Sequence, residues 1–223
     1  MSEVVSVEAI IAGGKETVCL ELRDNHNEQI CLEPWQKVPT LPRFYKALAK
    51  GKPDSVVALT QCAFFDPRVD QMWHMKFSPY ERVFTERSVY SDYYTFGQLL
   101  RPMMHPEEWE VYRYRFETLT SWFNLQPDVA IILDEKIEVA YERIQKRASE
   151  PGREMEKSIT PEYLRGLRDK HVENAAMLGK RVVVMTNKSI QPFGPGIEWA
   201  WLPETPEARA ALILEIVGKA AKA

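Results

Sequence analysis

The sequence predicts an α/β fold in which a parallel sheet lies between layers of helices. Three observations predict it. Short apolar runs alternate with longer segments of helical period, the pattern of successive βαβ units. The run Asp128-Val129-Ala130-Ile131-Ile132-Leu133 is almost purely apolar, as expected of a central parallel strand covered on both faces. A first strand enters a glycine-bearing turn that leads through a lysine into a helix, the arrangement in which backbone N–H groups and a helix dipole meet an anion.

In chain order, Val4-Val5-Ser6-Val7 is the first strand and Ala12-Gly13-Gly14-Lys15 the turn, with a helix toward Arg23. Asp24-Asn25-His26-Asn27 is a polar turn. Gln29-Ile30-Cys31-Leu32 is a short second strand ended by Glu33-Pro34. Helices are expected over 42–50 and 55–65, a third strand over 82–86, and helices over 92–103 and 106–124. After the apolar fourth strand come a helix over 137–148 and a charged stretch over 149–157. Pro161 opens a helix reaching 178, 181–185 is the fifth strand, and 206–220 is a last helix. No repeat or linker divides the chain, so residues 1–223 are expected to form one domain.

The 223 residues are 45% hydrophobic, enough for a buried core, and carry a formal charge of -3. No basic run marks a nucleic-acid surface, and no apolar stretch is long enough for a membrane helix. Phosphate chemistry must therefore rest on a few placed cations. Cys19, Cys31 and Cys62 are odd in number and lack metal spacing, which fits a reduced cytoplasmic setting. The four histidines form no ligand pattern.

The frame of the phosphate loop G-x-x-x-x-G-K-[ST] reads here Ala9-Ile10-Ile11-Ala12-Gly13-Gly14-Lys15-Glu16. Ala9 puts a methyl where glycine's conformational freedom is expected to be needed. Glu16 replaces the hydroxyl that meets magnesium, with Thr17 one position late. Glu16 either repels a triphosphate or supplies an oxygen ligand to the metal.

Further along, Glu86-Arg87-Ser88-Val89-Tyr90-Ser91-Asp92 leaves the carboxyl end of the third strand, where open α/β sheets bind ligands. This run resembles the E-R-S-x-x-S motif of the deoxycytidine/deoxyguanosine kinase family. Leu32-Glu33-Pro34 resembles that family's E-P motif, and the Tyr141-Glu142-Arg143-Ile144 to Arg147 stretch its arginine-bearing lid, here about 143–160. Ser149 stands where a third lid arginine is expected, with Arg153 as a substitute. The resemblance spans nearly the whole chain, and the phosphate loop departs from it most.

The resemblance implies a P-loop kinase fold with a five-stranded parallel sheet. It implies a transfer of the γ-phosphoryl of ATP, or a similar triphosphate, to the 5′-hydroxyl of a deoxynucleoside, with a purine deoxynucleoside or deoxycytidine as the expected acceptor. Glu33 is then the base, with Arg87 and Lys15 as its catalytic partners. Tyr45 and Glu156 meet the sugar, and Gln61, Arg68 and Asp92 read the nucleobase. Ala12, Gly13, Gly14, Lys15, Glu16, Thr17, Arg143, Arg147 and Phe193 bind ATP, and Glu86 and Glu16 hold Mg2+. A homodimer is implied, with 109–122 as its interface. Two rivals stand beside this reading: a nucleoside-binding pseudoenzyme or structural subunit of the same fold, and a nucleoside monophosphate kinase, which would need further cations for its acceptor phosphate.

Overall fold

The computed structural model describes residues 1–33, 35, 38–187, 194 and 196–220, with 219 and 220 as backbone only. Phe193 lies outside the described residues.

Strand β1 (Glu3–Ala9) is buried along almost its whole length and leads into helix α1 (Lys15–His26). The short β2 (Ile30–Cys31) is followed by α2 (Leu41–Lys50) and α3 (Ser55–Lys76). Strand β3 (Arg82–Glu86) feeds a helical stretch built of α4 (Val89–Ser91), a π-turn over Asp92–Gly97, α5 (Gln98–Leu100) and a 3-10 turn over Arg101–Met103. Then come α6 (Pro106–Phe123), β4 (Val129–Asp134), α7 (Ile137–Arg147) and a 3-10 turn over Glu154–Ser158. The chain ends with α8 (Pro161–Glu173), β5 (Arg181–Thr186), β6 (Glu198–Trp201) and α9 (Pro206–Ala220).

The described sheet has six strands, in the order β2-β3-β1-β4-β5-β6, and every pairing is parallel. The expected count of five missed β6. That strand lies at the sheet edge with Trp199 and Trp201 exposed, so it lacks the buried apolar run that marks the inner strands. β1 has β3 on one side and β4 on the other, so the connections diverge at its carboxyl end. Ligands of open α/β sheets bind at such a switch point, and Lys15 and Glu86 both lie there. Two apolar layers hold the sheet. One packs α1 and α9 through Val18, Leu22, Ala210 and Ile213; the other gathers Phe65, Met72, Tyr112, Phe116 and Ile144.

Two further expectations needed correction. The helix expected to stop near 65 continues through Pro67 to Lys76. Pro67 sits on the exposed face, where water can satisfy the carbonyl that loses its N–H partner. The opposite face buries Phe65, Arg68 and Met72, which holds the helix together across the proline. The helix expected over 92–103 starts earlier, capped by Ser88, and opens into the π-turn at Asp92. Such turns widen a helix locally and recur at functional sites.

Candidate active site

The carboxyl ends of β1 and β3 bring six charged groups together. Lys15 is the first residue of α1, fixed there by the tight turn before it. Glu86 ends β3, and Arg87 follows it with φ 79, an uncommon left-handed conformation for a residue with a Cβ. Arg87 is held there by its backbone N–H bond to the Val7 carbonyl (3.1 Å) and by its guanidinium lying 4.0 Å above the Phe96 ring. Lys15 Nζ is 3.2 Å from Glu86 Oε1 and 4.0 Å from Glu33 Oε2. Glu86 Oε2 accepts the Glu33 backbone N–H at 3.1 Å, which ties the end of β2 to the end of β3.

Arg68, reaching in from α3, is 1% exposed. Its Nε donates to Asp92 (2.6 Å), its Nη2 to Glu33 (2.6 Å) and its Nη1 to the Glu86 carbonyl (3.1 Å). Arg87 Nε stands 3.6 Å from Glu33 and makes no hydrogen bond among the described residues. Burial alone would raise the Glu33 carboxyl, but the charges of Arg87, Arg68 and Lys15 outweigh it and pull the group down to about 2.

Lys15, Glu33, Glu86 and Arg87 form the floor of a cleft. Gln61, Phe64, Asp92 and Phe96 line it as well, as do Tyr45, Glu156 and Tyr163. Gln61 is buried and lines the cleft. Glu156 accepts from Arg147 Nε (2.5 Å) and from Arg153 Nη1 (3.0 Å), and the Arg153 guanidinium lies 4.1 Å above the Trp35 ring. Arg153 thus stands in the lid, where the sequence offers it in place of Ser149.

A second cleft adjoins the first. It is lined by Gly14, Thr17, Arg143 and Lys146, and shares Ala12, Lys15, Glu16 and Arg147 with the first. The two clefts therefore adjoin along these four residues, Lys15 among them.

The loop's departures from the usual motif read differently in three dimensions. Ala9 is the last residue of β1 and has no positive φ, so no glycine-only conformation is needed there. The left-handed residues are Ala12 (φ 59) and Gly14 (φ 92). The Ala9 methyl has a different consequence: a Cβ on Gly13 would stand 2.8 Å from it, so glycine is required at 13. Glu16 lines both clefts.

Gln61 and Asp92 reach the cleft wall. Arg68 does not; it lies behind Asp92 and bridges it to Glu33. Trp109 was expected at an interface, but it is 4% exposed and packs against Tyr93. Sequence reasoning missed Tyr163, Phe96, Glu135 and Arg209. Glu135 follows the carboxyl end of β4, which the switch-point rule could have flagged. For Arg209, on the last helix, no local signal exists.

The deoxynucleoside kinase family model matches residues 5–190. Among curated proteins, the chain is 28% identical over 171 residues to the probable deoxycytidine kinase of Fowlpox virus (strain NVSL), covering 75% of this chain and 69% of that one. It is 29% identical over 194 residues to the mitochondrial deoxyguanosine kinase of Xenopus laevis, covering 75% and 71%. Among solved structures, the deoxyadenosine kinase from M. mycoides with dCMP and dCDP bound superposes with a TM-score of 0.71 at 19% identity, over 97% of this chain and 99% of that one. The same kinase with dATP bound gives 0.70 at 18% identity, over 96% and 98%. With the family model matched from the first strand to beyond the fifth, on a sheet and site of this geometry, the chain belongs to the deoxynucleoside kinase family.

Proposed function

We propose that residues 1–223 act as one kinase domain that transfers the γ-phosphoryl of ATP, or a similar nucleoside triphosphate, to the 5′-hydroxyl of a deoxynucleoside. The acceptor is a purine deoxynucleoside or deoxycytidine. The observation that carries this reading is that the two clefts adjoin along residues that include Lys15, with Glu33 4.0 Å from its ammonium. A nucleoside in the first cleft and a triphosphate in the second would face each other there.

Glu33 accepts the 5′-hydroxyl and takes its proton. A carboxylate this weakly basic suits a loose transition state, in which the nucleophile holds its proton until late and positioning supplies most of the rate. Arg87, whose Nε makes no hydrogen bond among the described residues, and Lys15 draw the transferring phosphoryl toward Glu33 and balance its equatorial charge. Gln61 and Asp92 read the nucleobase edge, with Arg68 acting on the base through Asp92. Tyr45 and Glu156 hold the sugar. Ala12 to Thr17 wrap the donor phosphates with backbone N–H groups, and the lid, about 143–160, brings Arg143 and Arg147 over them.

Among the described residues, no three or more His, Cys, Asp or Glu are arranged to hold a metal ion by themselves. That fits magnesium, which rests on one or two carboxylates and on the nucleotide's own phosphates. Glu86 and Glu16 are the carboxylates that would hold it, and when bound it neutralises phosphate charge. The direct test is incubation with ATP, magnesium and each deoxynucleoside in turn. Formation of a deoxynucleoside monophosphate is expected with at least one purine deoxynucleoside or with deoxycytidine. No product with any of them would refute the reading.

Glu16 is the one feature that favours the pseudoenzyme rival. Two like charges about 4 Å apart interact by about 4 kcal/mol at an effective dielectric near 20, enough to abolish useful ATP affinity with no cation between them. We expect calorimetry to show ATP binding by the natural protein only with magnesium, and Glu16→Ser to need several-fold more magnesium. ATP binding gained only in Glu16→Ser would make the natural chain a nucleoside-binding relative that does not turn over.

The same reading places the enzyme in the cytoplasm, in deoxynucleoside salvage, as a homodimer, with no nucleic-acid or membrane partner. No helix among the described residues is long and apolar enough to cross a membrane. Support for the dimer comes from α3 and α6, where Leu59, Phe77, Val111, Tyr114 and Trp122 are exposed on two helices joined by the Arg115–Asp66 ion pair. Trp73 packs with Phe77 and Phe123 at 4.5 and 4.8 Å in the same region. Sedimentation should give twice the chain mass for the natural protein and the single mass for Tyr114→Lys/Trp122→Glu, with unchanged helix content. A monomeric natural protein would remove this interface.

A further inference from the structure

Two buried charged groups have no part in the reaction just described. Glu135 and Arg209 are each 5% exposed. Arg209 lies in the first turn of α9, the helix packed against α1. Its Nε donates to the Pro203 carbonyl (2.7 Å) and its Nη2 to Glu135 Oε2 (2.9 Å). Its Nη1 has no hydrogen-bond partner among the described residues, and it lies 3.0 Å from the point where a Cβ on Gly14 would stand. From the lid side, Arg143 Nη1 comes within 3.5 Å of that same point, donates to the Ala12 carbonyl (3.2 Å) and stands 3.3 Å from Glu135 Oε2. One carboxylate thus carries two guanidiniums, one from α7 and one from α9, over the phosphate loop. Both arginines line the second cleft.

We propose that Arg209 is a donor-binding residue: with Arg143 it takes oxygens of the α- and β-phosphates of the triphosphate, and Glu135 positions the two guanidiniums. The assignment rests on the kinase reading. The backbone of Gly14 to Thr17 is where a loop of this type meets the α- and β-phosphates, and the Nη1 beside Gly14 is the Arg209 nitrogen without a hydrogen-bond partner among the described residues. The pair shares a single carboxylate, so it keeps a net positive charge aimed at the loop. A guanidinium fixed at two of its three nitrogens loses little freedom when the third binds an oxyanion. Gly14, with no side chain, leaves the space that Nη1 occupies.

Calorimetry with inorganic tripolyphosphate and with magnesium–ATP, on the full chain without nucleoside, tests this. Arg209→Gln should weaken both by about tenfold or more, the usual size of one charge-assisted hydrogen bond, and should raise the KM for ATP while leaving the KM for the nucleoside within about twofold. Arg209→Lys keeps a cation beside Glu135 but has no nitrogen left for the phosphates. It should fold and bind tripolyphosphate several-fold more weakly than the natural protein, and it carries the test if the glutamine variant unfolds. Natural affinity for tripolyphosphate in either variant overturns the Arg209 assignment and leaves the kinase reading standing. Failure of the natural protein to bind ATP or to form any monophosphate overturns the kinase reading and this assignment with it.

Discussion

Glu33→Gln should lower turnover by about 10²-fold or more, with nucleoside affinity largely retained. Glutamine keeps the shape of the floor and an oxygen to accept from Arg68 Nη2, but it cannot take the 5′-hydroxyl proton. It also removes the negative charge that holds Arg87 and Lys15 toward the reacting centre. Turnover near the natural value would show that Glu33 is not the base. The pH dependence follows from the same cluster. Burial opposes ionisation of Glu33, yet the guanidiniums of Arg87 and Arg68 and the Lys15 ammonium bring it down to about 2 from an ordinary 4.5. A carboxyl with a depressed folded pKa contributes stability above its unfolded pKa and loses it as pH falls through the folded one. That contribution is thus complete above pH 4.5 and fades toward 2, and the kcat/KM profile should show no acid limb from Glu33 at pH 5 or above. A limb near pH 6 would instead report Asp92, which burial raises to about 6 against the pull of Arg68 and Arg87.

The inner strands were legible because burial on both faces leaves only one kind of sequence, as in the uniformly buried Val129–Asp134. β6 was not, because an edge strand with two exposed tryptophans has no such run. Pro67 misled as a helix stop because its cost depends on which face it occupies, and periodicity does not weigh the packing on the other side. At the site, residues adjacent to strand ends were readable, since chain topology alone brings Lys15, Glu33, Glu86 and Arg87 to one edge. What those residues do to one another was not readable. Gln61 and Arg68 were expected to read the nucleobase together, and both are buried on α3, yet only Gln61 reaches the cleft, because the Arg68 guanidinium is taken by carboxylates and backbone carbonyls. The loop's Ala9 looked like a conformational defect and is instead a steric condition on Gly13. Arg209 reaches Gly14 across 195 positions of sequence, a distance no local pattern spans.

Arg68→Met should destabilise the fold by about 3–5 kcal/mol, the cost of breaking a buried ion pair on one side. Such a loss is a large part of the stability of an ordinary domain, about 5–15 kcal/mol. The substitution leaves Asp92 3% exposed with no partner cation in hydrogen-bond contact, strips Glu33 of its closest cation and frees the Glu86 carbonyl. Urea unfolding followed by tryptophan fluorescence should show a lower midpoint at an unchanged slope. The double variant Arg68→Met/Asp92→Leu removes both members of the pair and should recover most of the loss, because a well-packed apolar pair in place of a buried ion pair is often neutral. Glu33 still has Arg87 and Lys15 beside it in that background. An equal loss in single and double variants would show that the Glu33 contact, rather than Asp92, is what Arg68 stabilises. The double variant also tests acceptor choice. With Asp92 gone, a nucleobase that relied on it leaves a buried polar edge unmatched, at a cost of about 1–3 kcal/mol. Preference should then move toward thymidine by about fivefold or more, the lower end of that range. If the ratio of kcat/KM values among the deoxynucleosides stays unchanged, Arg68 and Asp92 support the floor of the cleft and take no part in reading the base.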